Sequence, residues 1–309
     1  MERLEACFGA RSAFAAETLG ALGGAFARKE PAGFAAWREA AERLYGAAFD
    51  TAGVHRAVFA PRAEPADRPL PFDQALFARQ AYFALIVRRV AAELCGEVAA
   101  GSLDEPVFAC ASKEAASVVA RLSAAAAACC AEIDWKPALP ASDLFKRLYE
   151  SVFPRALRHA LGEYYTPDWL ADYVLEQAGW PGEGGRRLLD PSCGSGTFLV
   201  AAIRELRGEA CPGIGREEQL DRILQRVAGF DLNPLAVLTA RANYLVAVRD
   251  LLPDDRPVRV PVACCDTICD GPPDPTGGEA RPFDLLVGNP PWIAWDNLPA
   301  SYRRATLPL

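Results

Sequence analysis

Three aspartates in the second half of the chain each follow a short apolar run that the sequence predicts as a strand. Asp190 closes RRLLD (186–190), Asp231 lies in RVAGFDL (226–232) and Asp266 lies in RVPVACCDT (259–267). Ligands of open parallel sheets bind beyond the carboxyl ends of the strands. Taken singly, each aspartate is equally compatible with an ordinary turn or capping role. Their joint placement after three successive strands favours a site where carboxylates bind a polar or cationic ligand.

A glycine-rich turn, DPSCGSGTF (190–198), follows the first of these strands. Gly194 and Gly196 allow its backbone to fold tightly against a ligand. Nicotinamide dehydrogenases also carry such a turn and are the alternative. Here Leu199 replaces the third glycine of their fingerprint, and Asp231 follows Gly194 by 37 residues, where that fingerprint expects about 20. S-adenosylmethionine fits better, with its ammonium at Asp190, its ribose at Asp231 and its adenine at Asp266.

The most specific element is Asn289-Pro290-Pro291-Trp292, at the end of the apolar run FDLLVGN (283–289). Two consecutive prolines remove backbone donors and stiffen the turn, so that its carbonyl oxygens can face a substrate. An exocyclic base amine is a poor nucleophile because its lone pair is delocalised into the ring. If the Asn289 side-chain oxygen and the Pro290 carbonyl accept its hydrogens, the lone pair turns toward a methyl donor, and Trp292 stacks on an extruded base. The loop therefore predicts direct methyl transfer without a covalent nucleophile.

Five ordered segments resemble motifs X, I, II, III and IV of the amino-methylating DNA adenine methyltransferases, in the order of the gamma class found in restriction-modification and phage-defence systems. The segments are GEYYTP (162–167), DPSCGSGTF (190–198), GFDLNPLAVLTARANYL (229–245), CCDT (264–267) and GNPPW (288–292). The resemblance covers about residues 145–309. It implies a site-specific enzyme that transfers a methyl group from S-adenosylmethionine to the adenine amine of double-stranded DNA.

The resemblance also implies roles for individual residues. It implies cofactor binding by Tyr165, Thr166, Pro167, Asp190, Gly194, Gly196, Phe198, Asp231 and Asp266, and catalysis by Asn289, Pro290, Pro291 and Trp292. Tryptophan at position 292 replaces the commoner tyrosine or phenylalanine, a change that stacking tolerates. Methyltransferases acting on RNA bases or on protein glutamine share an N-P-P-aromatic loop and stay as alternatives. The GEYYTP segment and the helical extension favour DNA over those substrates.

The remaining sequence predicts the elements that position these residues. Helical patterns over 198–207 and 234–252 follow the first two strands, and such alternation predicts a parallel, doubly wound sheet. Residues 1–140 read as alanine-rich helices, among them Phe72 to Ala99 and 112–134. The predicted fold class is therefore α/β. It comprises a partial doubly wound Rossmann-like methyltransferase sheet in residues 141–309, preceded by an α-helical domain in residues 1–140.

Composition narrows the class of protein further. The chain has 309 residues, 51% of them hydrophobic, and a formal net charge of −7. Its apolar runs are too short for a membrane span and its first residues do not resemble a signal peptide, so we expect a cytoplasmic protein that does not contact a membrane. The ten cysteines include no C-x-x-C and the only histidines are His55 and His159. Reduced thiols and no metal site are therefore expected.

Several residues near the motifs have an alternative interpretation. A basic cluster before motif X is interpreted as a solvated helix face, with contact to DNA phosphates as the alternative; it consists of Lys146, Arg147, Arg155, Arg158 and His159. Packing inside the protein is expected for Tyr164, Trp169 and Trp180, and an inert thiol for Cys193.

The resemblance also predicts that this sequence is one part of a larger enzyme. The family continues past motif IV with three more strands, further motifs and a target recognition domain, whereas this sequence ends at Leu309. The run FDLLVGN is apolar, as expected of a strand covered on both faces and flanked by neighbours, and its outer edge would otherwise stay open. We expect a missing C-terminal half, or a partner subunit, that carries the target recognition domain. The alternative is an inactive truncated relative that acts as an interaction module.

Overall fold

A computed structural model describes most of both predicted regions. The described residues are 2–31, 33–45, 71–103, 106–108, 116–132, 143–155, 158, 163, 165–182, 184–208, 213–270, 275–276, 281–293, 295–298 and 300–307. Their α-helices are α1 (Glu2–Phe8), α2 (Ala13–Arg28), α3 (Phe34–Tyr45), α4 (Phe72–Cys95), α5 (Glu97–Ala100), α6 (Ala116–Ala131), α7 (Lys146–Val152), α8 (Asp168–Gln177), α9 (Thr197–Gly208), α10 (Arg216–Arg226), α11 (Pro234–Ala247) and α12 (Ala300–Thr306). Their strands are β1 (Leu188–Asp190), β2 (Val227–Asp231), β3 (Val262–Cys264) and β4 (Leu285–Leu286).

The helix α4 forms the centre of the N-terminal region. Sixteen of its 24 residues are buried, and α2, α3 and α6 pack against it. Its one deeply buried amide, Gln80, accepts a hydrogen bond from the Trp37 indole of α3 at 2.6 Å. The polar group is therefore satisfied inside the helical layer. In this described part, no helix is long and apolar enough to cross a membrane.

Two predicted helices end earlier than their patterns indicate. The helix predicted from Phe72 to Ala99 stops at Cys95, because Gly96 adopts a φ of +86° that an L side chain rarely tolerates. The pattern over 234–252 forms α11 only as far as Ala247, and a short 3₁₀ turn over Arg249–Leu251 replaces its last turn. The pattern over 112–134 forms α6, and its first four residues lie outside the described ones.

The four strands form one parallel sheet in the order β3-β2-β1-β4. Leu188 aligns with Val227 of β2 and with Leu285 of β4, and Gly229 aligns with Val262 of β3. The helices α9 and α10 connect β1 to β2, and α11 connects β2 to β3. The prediction of an α/β fold with a parallel sheet and helical crossovers is therefore confirmed. All four strands are shorter than their apolar patterns predict.

The strand β4 has one covered and one open face. Leu286 is 66% exposed, whereas its neighbour Val287 is 7% exposed. Successive side chains of a strand point to opposite faces, so one face of β4 packs on the core and the other lies open. Among the described residues β4 pairs with β1 alone and lies at the edge of the sheet, which is the open edge that the sequence predicts when further strands are lacking. Coverage of both faces of β4 in a larger enzyme stays a prediction.

One buried apolar cluster spans both regions. It runs from Leu4 of α1 to Val287 beyond β4, and α4 packs on α11 of the sheet region while α1 packs on α7. The N-terminal helices therefore pack directly on α11, the helix that follows β2. The predicted boundary between residues 140 and 141 lies outside the described residues.

Candidate active site

A cavity of about 640 Å³ lies at the carboxyl ends of the four strands. It brings together residues that follow every strand with residues of the motif X segment, α3 and α12. Its lining includes Arg43, Leu44, Glu163, Tyr165, Thr166, Asp190, Gly194, Ser195, Phe198, Asp231, Asp266, Asn289, Pro290, Pro291 and Tyr302. Most of the predicted site residues therefore share one cavity. Pro167, Gly196 and Trp292 are not part of its lining.

Asp190 is the most deeply buried acid of the cavity, at 1% exposure. Its Oδ1 accepts a hydrogen bond from the Ser192 amide at 3.1 Å. Burial raises the pKa of the Asp190 carboxyl to about 8, and the charge of nearby Asp231 adds to this effect, while the Ser192 bond opposes it. A cationic ligand that enters the cavity would therefore stabilise the ionised form of Asp190.

Asp231 holds the glycine turn against the end of β2. Its Oδ2 accepts from the Gly194 amide and its Oδ1 from the Asn233 amide, both at 2.8 Å. Burial raises the pKa of Asp231, and these backbone bonds oppose the rise. Each carboxylate oxygen has a second acceptor direction. Asp231 can therefore fix the turn and still bind a hydroxyl group.

Asp266 lies two residues beyond β3 and lines the same cavity. Its Oδ1 accepts from the amides of Ile268 at 2.9 Å and Cys269 at 3.1 Å. The Tyr302 hydroxyl of α12 donates to the same oxygen at 3.3 Å. Burial is the main cause that raises the pKa of Tyr302, with Asp266 second, so this phenol is a neutral donor. Among the described residues, no group of His, Cys, Asp and Glu side chains is arranged to hold a metal ion.

The two glycines of the turn have different neighbours. Both have positive φ, +54° at Gly194 and +91° at Gly196. A Cβ added at Gly194 would meet nothing within 4 Å, whereas one added at Gly196 would lie 3.3 Å from Ala240 of α11. Gly194 therefore leaves open space beside the cavity. Gly196 allows the turn to approach a helix, which is not the ligand contact that the sequence predicts for it.

The motif X segment forms another wall of the cavity. Thr166 is buried, and its carbonyl accepts from the Lys146 ammonium at 2.8 Å. The Tyr165 ring packs edge-on against Tyr149, with ring centroids 5.5 Å apart. Burial raises the pKa of Tyr165 well above its ordinary value. Pro167 is exposed and precedes α8, so it starts a helix instead of lining the cavity.

Glu163 adds a further acid to this wall. It accepts from the Tyr149 hydroxyl at 2.7 Å and from the Asn233 side-chain amide at 3.5 Å. Burial raises the pKa of Glu163 to about 7, and the charge of Asp231 adds to the rise. Three carboxyl groups, those of Glu163, Asp190 and Asp231, therefore have pKa values raised chiefly by burial around one cavity.

The loop after β4 brings Asn289, Pro290 and Pro291 to the cavity. Trp292 is not part of its lining and is 70% exposed. Its indole Nε1 donates to Asn289 Oδ1 at 3.0 Å. The oxygen predicted to accept a substrate amine is therefore already bonded to the aromatic side chain predicted to stack on that substrate.

The neighbouring residues differ partly from their predicted roles. Arg158 donates to the Phe153 carbonyl at 3.2 Å and lies 3.5 Å from Glu150. Together with the internal bond of Lys146, this makes the solvated-face interpretation of the basic cluster wrong for these two residues. Trp169 is 69% exposed, so its predicted packing is also wrong. His159 and Tyr164 lie outside the described residues.

Among the other neighbouring residues, Trp180 packs as expected, and the pKa of Cys193 favours the inert thiol that the sequence predicts. Trp180 is buried and donates to the Ala202 carbonyl at 3.0 Å. Burial raises the pKa of Cys193 well above its ordinary value, so its thiol stays protonated and unreactive.

Several cavity and support residues have little or no signal in the sequence. Glu163 lies inside the quoted GEYYTP segment and was open to prediction from it. Asp143 lies three positions before the first residue of α7, outside the cap position that sequence patterns search. Arg43 and Leu44 come from α3, and Tyr302 from α12, and no local pattern connects them to the motifs.

The parallel sheet, the glycine turn after β1 and the acid-lined cavity at the strand ends define a Rossmann-like methyltransferase domain. A sequence profile of the N-6 DNA Methylase family matches residues 140–303. This match covers more than half of the 309 residues. The chain belongs to the N-6 DNA Methylase family.

Individual relatives match shorter stretches. The adenine-specific methyltransferase PglX of Streptomyces coelicolor is 34% identical over 113 residues, which are 34% of this chain and 9% of that protein. The ribosomal RNA large subunit methyltransferase K/L of Cellvibrio japonicus is 44% identical over 70 residues, 22% of this chain and 9% of that protein. The matched regions thus span about a tenth of these curated relatives.

A solved structure is similar over most of the chain. The alignment with a DrdV–DNA complex covers 92% of this chain and 30% of the DrdV chain, with 16% identity and a TM-score of 0.48. A nuclease-deletion mutant of the Type ISP restriction-modification enzyme LlaGI covers 82% of this chain and 20% of its own, with 13% identity and a TM-score of 0.41.

Proposed function

We propose that this chain carries the cofactor cavity and catalytic loop of an S-adenosylmethionine-dependent DNA adenine methyltransferase of the restriction-modification or phage-defence type. The observation that carries the proposal is the meeting of Asn289 and Pro290 with the strand-end acids Asp190, Asp231 and Asp266 in one cavity. A methyl donor and an amine acceptor must meet at one place. This cavity has acceptor groups suited to both.

The cavity fits the chemistry of the proposed cofactor. S-adenosylmethionine carries positive charge on its sulfur and its amine, and when bound it supplies an electrophilic methyl group. Burial raises the pKa values of the acids Glu163, Asp190 and Asp231. A bound cation would lower these pKa values again, because it stabilises the ionised carboxylates. The residues proposed to hold the cofactor are Tyr165, Thr166, Asp190, Gly194, Phe198, Asp231 and Asp266.

The catalytic work falls to the loop after β4. Asn289 Oδ1 and the Pro290 carbonyl would accept the two hydrogens of the adenine amine and so direct its lone pair. Trp292, exposed beside them, would stack on the flipped base. Cys193 holds its proton because burial raises its pKa, so it does not suit the covalent chemistry that ring-carbon methylation needs.

A base in RNA is the second candidate substrate. Two relatives are ribosomal RNA large subunit methyltransferases K/L, and the one from Desulfotalea psychrophila aligns over 172 residues, 46% of this chain, at 26% identity. The family description, N-6 DNA Methylase, favours DNA, and the PglX relative, named as adenine-specific, favours adenine as the target base. The net charge of −7 disfavours a broad polyanion-binding surface, so we propose that a further segment or a partner subunit recognises the target sequence.

The test compares DNA and RNA from cells that express the complete gene with wild-type or Asn289→Ala sequence. Mass spectrometry of the digested nucleic acids should show N6-methyladenine in DNA with the wild type and none with the variant. Cofactor affinity of the purified variant should stay within a few-fold of the wild type, because the Asn289 interaction is made to the reacting amine. Methyladenine confined to RNA would support the second candidate, and unchanged DNA methylation by the variant would refute the role of the loop.

A further inference from the structure

The short helix α7 and the residue three positions before it connect both walls of the cavity to the N-terminal helices. We call Asp143–Phe153 the bracket. Its residues are buried or half-buried over most of its length, although α7 has only seven residues. Isolated helices of this length are unstable in water. Tertiary contacts must therefore hold the bracket in place.

At one end of the bracket, Asp143 holds the glycine turn. It is 3% exposed, and its Oδ2 accepts hydrogen bonds from the hydroxyls of Ser195 and, at 3.4 Å, Thr197. Its Oδ1 accepts hydrogen bonds from the backbone amide of Lys146 at 3.0 Å and from the side-chain amide of Asn243 in α11 at 2.7 Å. This buried carboxylate therefore satisfies donors from the turn, from α7 and from α11.

Asn243 completes the same network. Its Nδ2 also donates to the Ser195 carbonyl at 2.9 Å, and its Oδ1 accepts from the Leu144 amide at 3.1 Å. Loss of one member would leave buried polar groups unpaired, which costs more than a typical hydrogen bond contributes. The position of Ser195 thus depends on residues about 50 positions away on either side.

The middle of the bracket holds the motif X segment. The Lys146 ammonium donates to the Thr166 carbonyl at 2.8 Å, and the Tyr149 hydroxyl donates to Glu163 at 2.7 Å. Thr166 and Glu163 both line the cavity, whereas Lys146 and Tyr149 do not. The bracket therefore contacts the glycine turn and the motif X segment at the same time.

The N-terminal helices hold the outer side of the bracket. Phe83 of α4 packs edge-on against Tyr149 and Phe153, with centroid distances of 5.3 and 5.9 Å. The Ala10 amide donates to the Ser151 hydroxyl at 3.2 Å. The helical layer therefore reaches the cavity walls through contiguous packed residues.

We propose that the N-terminal helices hold the bracket in place and that the bracket in turn positions the residues that line the cofactor cavity. Asp143 and Tyr149 are then positioning residues that set cofactor affinity. This proposal rests on the proposed function, because it assumes that the cavity binds S-adenosylmethionine. It assigns the helical layer a direct part in forming the cofactor site.

The test measures S-adenosylmethionine affinity of the full chain by titration calorimetry, well below the melting temperature. Asp143→Asn keeps the shape of the side chain but removes its charge, and Tyr149→Phe removes one hydroxyl and keeps the ring. Each should weaken binding roughly five- to twentyfold, as expected for the loss of one or two buried bonds to a charged group. Phe83→Leu, which does not line the cavity, should weaken binding severalfold.

The matched control is Tyr244→Phe. Tyr244 is fully buried and donates to the carbonyls of Ile223 and Val227 at 3.1 Å, away from the cavity. It should lose stability comparably to Tyr149→Phe and bind the cofactor as the wild type does.

Kinetics of the complete enzyme separate positioning from general stability. In the complete enzyme, Asp143→Asn should raise the KM for the cofactor and leave kcat at saturating cofactor within about twofold. Equal affinities for wild type, Asp143→Asn and Tyr149→Phe would overturn the proposal, as would equal weakening in Tyr244→Phe. A wild-type chain that fails to bind S-adenosylmethionine would overturn the proposed function, and this proposal with it.

Discussion

The strand-end aspartates combine two roles that the sequence presents as alternatives. Asp190, Asp231 and Asp266 each accept a hydrogen bond from a backbone amide two residues ahead, which is the ordinary role of a turn aspartate. All three also line the cavity. Since an ionised carboxylate has about four acceptor sites, a local bond does not exclude a ligand. The local bond orients the side chain toward the ligand.

We expect cofactor binding to release a proton from Asp190. Its pKa of about 8 means that the free protein holds this carboxyl mostly protonated at pH 7, and the cofactor's ammonium favours the ionised form. The affinity of the wild type should therefore rise as the pH increases from 6 to 8, with release of about one proton at pH 7. Calorimetry in two buffers of different ionisation enthalpy measures this number. Asp190→Asn should bind more weakly and release fewer protons, and equal release by both would contradict the assignment.

The bond between Trp292 and Asn289 is expected to restrain the free enzyme. The indole donates to the oxygen that the proposed mechanism needs for the adenine amine. Trp292→Phe keeps an aromatic face and removes the donor, so kcat/KM for DNA should rise about three- to tenfold, the value of one ordinary hydrogen bond. Trp292→Ala, which also removes stacking, should lower it. Steady-state methylation assays on the complete enzyme decide, and a loss in Trp292→Phe equal to that in Trp292→Ala would refute the restraint.

At the scale of elements, β4 and β1 meet at the cavity through a close contact. A Cβ added at Gly288, just after β4, would overlap the Asp190 carboxylate at the end of β1. Gly288→Ala should therefore displace Asp190 or the catalytic loop and weaken cofactor binding at least about tenfold, since core overpacking costs 1–3 kcal/mol. Gly208→Ala is the control, because its Cβ would meet nothing within 4 Å at the end of α9. Calorimetry of both variants measures the difference, and wild-type affinity in Gly288→Ala would show that the contact is not needed.

At the scale of the whole molecule, the continuous core predicts that both regions unfold together. Phe77 of α4 is fully buried and its ring contacts Phe26, Phe34, Trp37 and Phe108. Phe77→Ala should lower the free energy of unfolding by about 3–5 kcal/mol. Denaturant unfolding followed by tryptophan fluorescence and by circular dichroism should give one coincident transition.

The matched control for this prediction is Val98→Ala, which truncates a side chain that is 44% exposed and should change stability little. Two separated transitions, with only one of them shifted in Phe77→Ala, would show that the regions fold independently.

The sequence determined the local parts of this protein. The strand-end aspartates, the glycine turn and the proline loop depend on turn chemistry within a few residues, and alternating strand and helix patterns gave the parallel sheet. The ends of helices and strands were harder to predict: helix α4 ends at Cys95, before Gly96, and β4 pairs over two residues only. Element ends depend on competing local bonds and neighbouring strands, which periodicity does not report.

Tertiary structure decided the contacts between distant residues. Asp143 bonds to Ser195 and Asn243, and Arg43 reaches the cavity from α3. Such contacts depend on which faces of the elements pack together, and packing is set by the sum of many weak interactions over the whole core. The residue types that can do the chemistry can therefore be identified from short sequence motifs. The walls that hold those residues at one cavity arise only when the helical layer and the sheet pack against each other.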